Sequence, residues 1–231
     1  MILALAAAVP AAAGNFSIAP VRIELRGAQR TAVLTVHNDD AAPLLIQVST
    51  LSWSQPGGEE EYGPTHELLA TPPVFTLPPK ADQIVRVALR REPDPARELA
   101  YRVLLAEVPS APAKDFTGLQ VALRLSLPVF VRAAAPATAA LNWRAQWQSD
   151  GTLSLTATNG GKAHLQISDF NLQFAGSSAS AHGPVSRYVL PGSAVSWKLT
   201  PPSGVAHDAA ITITGLSDQG EFRADVATAG S

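Results

Sequence analysis

The sequence predicts an all-β protein built from two immunoglobulin-like β-sandwich domains. Three observations support this fold class. From residue 15 onward, apolar and polar residues alternate in short runs, which is the pattern of half-buried strands. Gly, Pro, Asn and Asp lie between the runs, where turns are expected. The 231 residues suffice for two domains with separate cores, and the alternation is interrupted near Pro136.

The first half contains about seven predicted strands, the number expected of an immunoglobulin-like sandwich. Their shared feature is an apolar residue at every second position, with many β-branched residues among them. The predicted strands are Phe16–Leu25, Thr31–Asn38, Leu44–Trp53, Val74–Leu77, Gln83–Leu89, Ala100–Val108 and Leu119–Val131.

The second half repeats this style, and a second sandwich is therefore predicted. Turn residues again separate the alternating runs. The predicted strands are Leu141–Trp147, Thr152–Thr158, His164–Phe170, Arg187–Leu190, Ala194–Leu199, Ala210–Thr214 and Glu221–Val226.

The boundary between the two domains is predicted at the segment 132–136, where the alternation stops and a proline follows three alanines. The predicted bounds are 15–132 for the first domain, 133–136 for the linker and 137–231 for the second domain. Two loops rich in charge or proline, Gln55–Pro64 and Arg91–Arg97, lack a periodic apolar face. We predict that they are solvated connections.

Residues 1–14, MILALAAAVPAAAG, have the apolar core and the small-residue end of a secretory signal peptide. They lack the basic region that normally begins such a peptide, which favours a truncated signal; the alternative is a disordered Ala-rich leader. This stretch is shorter than the roughly 20 residues of a membrane span. We therefore expect an exported protein that is not embedded in a membrane.

Composition argues against several classes of function. Basic and acidic residues number 12 and 13 before Pro136, and 5 and 6 after it. Neither half has the excess of positive charge that nucleic-acid binding requires. The chain has no cysteine, and its five histidines are far apart and not at metal-ligand spacing. Phosphate-binding, dinucleotide-binding and nucleophile-elbow motifs are also missing. We expect no catalytic residue, no metal and no cofactor.

The predicted strand Leu119–Val131 carries a large aliphatic residue at every odd position, a set called here the aliphatic row: Leu119, Val121, Leu123, Leu125, Leu127, Val129 and Val131. One interpretation is that the whole row fills the domain's own core. Pro128 favours an edge position for the later part of the strand, because proline cannot donate to a ladder. An aliphatic edge strand promotes pairing with another chain, so the second interpretation is strand donation to a partner.

At this strand the sequence resembles the PapD-like periplasmic pilus chaperones of the chaperone-usher pathway. The alternating aliphatics end in Val129-Phe130-Val131-Arg132, and a linker and a second sandwich follow. Pro128, within Ser126–Phe130, is similar to the archaic or alternative branch of that family. The other similar segments, in the same order over residues 16 to about 226, are Ala19–Leu25, His37–Asp40 with Gln47, Val48 and Trp53, Pro72–Pro79, Gln83–Val87, Arg97–Pro109, Asn159–His164 and Tyr188–Gly192.

The resemblance implies a function: a periplasmic chaperone with its two domains at an angle around a cleft, which lends a strand to unfolded pilus subunits and delivers them to an outer-membrane usher. A pilus subunit of this kind lacks the last strand of its sandwich, and the chaperone's strand fills the gap. The residues implied in this donor strand are Val121, Leu123, Leu125, Leu127 and Val129. Their exposure in the free protein implies capping by self-association or by a mobile loop.

The resemblance also implies an anchor for the subunit's terminal carboxylate, made by an arginine of the first strand and a lysine of the donor strand. Arg22 matches the arginine, whose guanidinium can bind a carboxylate through two parallel hydrogen bonds. Without the resemblance, Arg22 reads as a solvated surface residue. Pro128 stands where the lysine is expected. Arg124, on the same strand face as Pro128, is the candidate replacement.

A third implication is an interdomain salt bridge formed by Glu98, Arg132 and Asp218. Such a bridge contributes orientation more than stability, because desolvation offsets much of its Coulombic gain. The alternative is three unrelated surface charges.

The rival function is that of a secreted two-domain adhesion or carbohydrate-binding sandwich. It would use exposed aromatic side chains as stacking platforms for sugars. The candidates are Trp53, Trp143, Trp147 and Trp197, but all four lie within alternating strands, where core packing is expected.

Overall fold

The computed structural model describes residues 15–27, 29–109, 121–177, 180–182 and 186–229. The proposed signal peptide, residues 1–14, lies outside them. Apart from a 3-10 turn at Pro56–Gly58, the described residues contain no helix. None of them therefore forms a helix able to span a bilayer. The all-β prediction is confirmed.

The described residues form nineteen strands. In chain order they are β1 (Phe16–Ala19), β2 (Ile23–Leu25), β3 (Thr31–Asn38), β4 (Leu44–Ser54), β5 (Glu61–Pro64), β6 (Leu68–Thr71), β7 (Val74–Leu77), β8 (Asp82–Leu89), β9 (Leu99–Glu107), β10 (Arg124–Val131), β11 (Leu141–Trp147), β12 (Leu153–Asn159), β13 (Leu165–Phe174), β14 (Ser180–His182), β15 (Arg187–Val189), β16 (Ala194–Leu199), β17 (Ile211–Ser217), β18 (Gly220–Val226) and β19 (Thr228–Ala229).

Contacts divide the chain into two compact units. Of the described residues, the first unit contains those within 15–52, 63–92 and 101–130, and the second contains those within 53–62, 93–100 and 131–229. The segments 53–62 and 93–100 thus pack with the second unit although they precede residue 132. The linear domain bounds given above remain a prediction.

The sandwich of the first unit has one sheet in the order β1-β3-β8-β6 and another in the order β2-β10-β9-β4-β5, with β7 on β4. The predicted first strand, Phe16–Leu25, is wrong as a single strand. It is interrupted at Pro20, and β1 pairs with β3 whereas β2 pairs with β10. Proline has no amide hydrogen for a ladder, which accounts for the interruption.

The second unit has one sheet in the order β16-β12-β11-β19 and another in the order β14-β13-β17-β18, with β15 on β13. Its core contains the aromatic rings of Phe170, Phe174 and Trp197 together with aliphatic residues of both sheets. Trp143 packs against this core and stacks on Phe222, with ring centroids 5.7 Å apart. Alternation along β12, where Leu153, Leu155 and Ala157 are fully buried, reproduces the predicted pattern.

A buried asparagine ends an equivalent strand in each unit. Asn38, the last residue of β3, donates from Nδ2 to the carbonyl oxygens of Leu77 and Pro78 at 3.0 and 3.1 Å. Asn159, the last residue of β12, donates to the carbonyl oxygens of Ala163 and Val189 at 2.8 and 3.0 Å. Both side chains are fully buried, so each supplies partners to loop carbonyls that are shielded from water.

The prediction that Gln55–Pro64 is a solvated connection holds for most of the segment, whose residues after Gln55 are exposed or half-buried. Gln55 departs from it. This residue is 4% exposed, and its side chain donates to the carbonyl oxygen of Tyr188 and accepts from the amide of Leu190, both at 2.9 Å. A single polar side chain can be buried at the start of a solvated loop when it satisfies backbone groups from a distant part of the sequence.

Candidate functional site

The aliphatic row changes from exposed to buried along its length. Val121 is 45% exposed and precedes the regular strand, whose first residue is Arg124. Leu123 and Leu125 are half-buried. Leu127 is 2% exposed and Val129 is fully buried, so these two residues belong to the hydrophobic interior. Leu119, the first residue of the row, lies outside the described residues.

The strand β10 lies between β2 and β9 in its sheet. It is therefore the second strand from the edge, not the outermost strand that Pro128 suggested. Because β2 has three residues and β10 has eight, β2 is too short to pair along the whole of β10.

The start of the row is attached to β9. The amide of Glu107 donates to the carbonyl oxygen of Leu123 at 2.9 Å. The amide of Leu123 donates in turn to the carboxylate of Glu107 at 3.1 Å. Leu123 is thus held in an extended position by one residue, although it precedes the regular part of β10.

Arg22 immediately precedes β2, and Arg124 is the first residue of β10, which pairs with β2. The Arg22 guanidinium lies 3.6 Å from the Glu24 carboxylate, and its side chain is 35% exposed. The same carboxylate is 2.5 Å from Arg26. Glu24 therefore contacts two arginines, and the Arg22 side chain is partly exposed. Arg124 is exposed.

The structure places Glu98 and Asp218 on either side of His164, a residue that the sequence analysis placed at the start of a predicted strand and gave no other role. His164 Nδ1 lies 2.5 Å from Glu98 Oε1, and Nε2 lies 3.5 Å from Asp218 Oδ2. The His164 side chain is 5% exposed and that of Glu98 is 1% exposed. These three residues are called the His164 cluster. Arg132, the residue predicted to join the two carboxylates, is half-buried at the end of β10.

Electrostatics in the His164 cluster favour the charged imidazole. Burial alone would lower the pKa of His164, but hydrogen bonds from its ring to Asp218 and Glu98, and the charges of both carboxylates, outweigh it and raise the pKa above the ordinary value. The sequence around His164 gave little indication that its ring contacts two carboxylates, because Glu98 and Asp218 are far from it along the chain.

A model of one protein family, described as pili and flagellar-assembly chaperone, PapD N-terminal domain, matches residues 15–137. This match spans more than half of the chain. The protein belongs to this chaperone family. The matched region includes β1 to β10, and with them Arg22, Arg124 and the described part of the aliphatic row.

Solved structures show the same fold for this PapD-family chain at low sequence identity. A chain of the CsuC–CsuE chaperone–tip adhesion subunit complex, from archaic chaperone-usher Csu pili of Acinetobacter baumannii, is 18% identical with a TM-score of 0.69. That match covers 93% of this chain and 99% of the other. The E. coli chaperone DraB is 20% identical with a TM-score of 0.61, over 92% of this chain and 99% of DraB.

A third similar structure is the complex of the Salmonella enterica SafA pilin with the SafB chaperone. One of its chains is 18% identical with a TM-score of 0.61, over 91% of this chain and 96% of that chain. No curated protein sequence matches the chain.

The tryptophan side chains do not form the exposed platforms that a sugar-binding module needs. Trp53, Trp147 and Trp197 are at most 5% exposed, and Trp143 is partly buried against the second core. Core packing, as predicted for all four, leaves the rival function without its proposed binding groups.

Proposed function

We propose that this protein is a periplasmic chaperone that binds unfolded pilus subunits by donor-strand complementation and delivers them to an outer-membrane usher. The observation that carries the proposal is the graded burial of the aliphatic row. Its early residues, Val121, Leu123 and Leu125, retain accessible apolar surface, and they continue directly into a strand whose later residues are fixed in the core.

Strand donation needs a rigid strand with accessible backbone and alternating apolar side chains. Leu127 and Val129 supply the rigidity, because their burial anchors the later part of β10. The short β2 cannot pair along the whole of β10. The residues proposed to enter the groove of the subunit are therefore Val121, Leu123 and Leu125, and not the whole row implied by the family.

The proposed anchor for the subunit's terminal carboxylate is Arg22, assisted by Arg124. The Arg22 side chain is partly exposed, and its guanidinium lies 3.6 Å from the Glu24 carboxylate, a distance at which an incoming carboxylate can compete. Glu24 would keep its closer partner, Arg26, after such an exchange. This arrangement supports a single-arginine anchor in a chain that has proline in place of the family lysine.

Exposed apolar residues at the start of a donor strand also favour self-association of the free chaperone. Val121 is 45% exposed, and its neighbours Leu123 and Leu125 are half-buried. Pairing of two such strands would cover this surface until a subunit arrives. Analytical ultracentrifugation with and without a subunit tests this part, since the proposal expects the oligomer to dissociate when the subunit binds.

The test of the proposed function is co-expression with a pilus subunit from the same genome, followed by hydrogen exchange on the purified complex. We expect new protection at the backbone amides of residues 121–126, relative to the free chaperone. Amides of β16, an edge strand of the second unit, serve as the control and should not change. Protection confined to β16 or to another edge strand would overturn the donor assignment.

A further inference from the structure

The His164 ring has a carboxylate opposite each of its two nitrogens. A neutral imidazole carries one N–H, so it can donate to Glu98 or to Asp218 but not to both. The other nitrogen would then direct its lone pair at a carboxylate oxygen. Only the imidazolium presents an N–H to both sides. The His164 and Glu98 side chains are 5% and 1% exposed, so an unmatched charge on Glu98 would be costly, whereas Asp218 is 17% exposed.

We infer that His164 is a positioning residue which, as an imidazolium, holds Glu98 and Asp218 and thereby ties three segments of the second unit together. Glu98 belongs to the segment 93–100, His164 immediately precedes β13, and Asp218 lies in the turn between β17 and β18. These segments are far apart in sequence, so the charged ring connects parts of the second unit that no local contact joins along the chain.

Backbone hydrogen bonds surround the same ring and support this role. The Glu98 amide donates to the carbonyl oxygen of Lys162 at 2.9 Å, and the His164 amide donates to Glu98 Oε1 at 3.1 Å. Asp218 Oδ1 accepts from the Gln166 amide at 2.9 Å. Glu98 thus hydrogen-bonds both the ring and the backbone, and Asp218, which lies at ion-pair distance from the ring, hydrogen-bonds the backbone on its other oxygen. These bonds orient both carboxylates toward the imidazole.

Two uncharged groups also lie beside His164. The Tyr188 ring has its centroid 5.7 Å from the imidazole, and the Gln219 side-chain amide donates to the His164 carbonyl oxygen at 3.3 Å. The combined effect of the two carboxylates raises the pKa of His164 despite the opposing effect of burial.

The protonation state of His164 can be measured on the free chaperone, so this inference does not depend on the proposed function.

The direct test is nitrogen-15 NMR of the histidine rings in the free, folded protein, with His164 assigned by comparison with the His164→Gln variant. We expect the His164 ring to titrate above the ordinary histidine pKa of 6.5 and to be mainly imidazolium at pH 6.5, with both ring nitrogens showing imidazolium chemical shifts below that titration. A His164 ring that is mainly neutral at pH 6.5 would overturn the inference, whatever the protein binds.

A second measurement separates charge from packing. Because the folded pKa of His164 is raised, the stability it contributes is complete below pH 6.5 and is lost as the pH rises through the folded pKa. Urea unfolding should show a stability difference between wild type and His164→Gln that is constant at low pH and shrinks as the pH rises. A difference that does not vary with pH would mean that His164 acts through packing alone.

If His164→Gln does not fold, Glu98→Gln provides the comparison. Removing the negative charge of Glu98 should lower the pH at which the His164 ring titrates, because that charge stabilises the imidazolium. An unchanged titration in that variant would contradict the inference.

Discussion

Glu107 holds Leu123 by both its main chain and its side chain, since its amide donates to the Leu123 carbonyl oxygen and its carboxylate accepts from the Leu123 amide. This pair attaches the accessible start of the aliphatic row to β9. A hydrogen bond to a charged acceptor contributes about 1.5–3 kcal/mol. The pair therefore has the strength to keep residues before Arg124 extended, which reduces the entropy lost when a partner strand adds to them.

The first prediction concerns this attachment. Glu107→Ala should increase the hydrogen-exchange rate of the Leu123 amide by about tenfold or more, because that amide loses its charged acceptor. Glu107→Gln, which keeps an acceptor, should change it less. Exchange of amides in the buried part of β10, such as Val129, should stay the same in both variants. Equal rates at Leu123 in all three proteins would show that the side chain does not hold the strand.

The second prediction tests which part of the row is available to a partner. Leu125→Asp should abolish complexes with a pilus subunit while the chaperone remains folded, because the charge is hydrated on the half-buried strand but would be buried in the groove of the subunit. Val33→Asp, on an exposed position of β3, is the matched control and should bind normally. Co-purification and circular dichroism provide the measurements.

A companion variant, measured in the same way, distinguishes a residue of the donor segment from a residue of the hydrophobic core. Leu127→Asp should prevent folding, since Leu127 is 2% exposed and its charge would have no partner. If Leu125→Asp also unfolds, the middle of the row is ordinary core, and the proposed donor segment is too long.

The third prediction concerns the two buried asparagines. Asn159→Ala leaves the carbonyl oxygens of Ala163 and Val189 without a donor, and it should lower the free energy of unfolding by about 2 kcal/mol or more. Asn38→Ala should have a similar effect on the first unit. Native-state hydrogen exchange localises each loss, and we expect the two variants to weaken different units. If either variant reduced hydrogen-exchange protection evenly in both units, the substituted asparagine would not act as a local stabiliser of its own unit.

The fourth prediction uses the pair of Tyr101 and Glu67 in the first unit. The Tyr101 hydroxyl donates to Glu67 at 2.6 Å, and this bond lowers the pKa of Glu67. Burial, together with the same bond, raises the pKa of Tyr101. Since the Glu67 pKa is depressed, the stability it contributes is present above the unfolded pKa and is lost as the pH falls through the folded pKa.

Tyr101→Phe should therefore destabilise the protein at pH 7 by about 1 kcal/mol, a modest amount because the carboxylate is partly exposed and screened. The difference from wild type should decrease at acidic pH, where Glu67 becomes protonated. Urea unfolding at pH 7 and at pH 3 measures it. A loss that is equal at both pH values would point to packing of the ring and not to the hydrogen bond.

The sequence predicted regular strands well and long-range polar contacts poorly. β3, β7, β11 and β16 have the predicted bounds, because two-residue alternation is a local property of the chain. β14 and β19 are too short to show alternation and were not predicted. The burial of Gln55 depends on Tyr188 and Leu190, and no pattern near Gln55 reveals those partners.

In the candidate site too, local alternation was predictive and long-range contacts were not. Alternation identified the aliphatic row, but it could not show that burial increases from Val121 to Val129, since both ends have the same pattern. Resemblance to the family identified Glu98 and Asp218. The ring between them was missed because local sequence does not distinguish a histidine in a turn from one held by two distant carboxylates.

The last prediction concerns the departure from the family at Pro128. Arg22→Ala should weaken subunit binding by about tenfold or more, because a charge-assisted pair contributes about 1.5–3 kcal/mol in a partly shielded site. Arg124→Ala should have a smaller effect, since its side chain is exposed and water screens its charge. Pro128→Lys should not improve binding, because position 128 is buried and an ammonium there has to be desolvated.

Dissociation constants for these three variants and wild type, measured against one subunit, decide between the possible anchors. Arg26→Ala is the control, because it removes an arginine that contacts the same Glu24 without occupying the proposed anchor position. A loss confined to Arg124→Ala would move the anchor onto the donor strand. Normal binding by both Arg22→Ala and Arg124→Ala would mean that strand pairing and the aliphatic row hold the subunit, and that the carboxylate anchor plays no part in this chaperone.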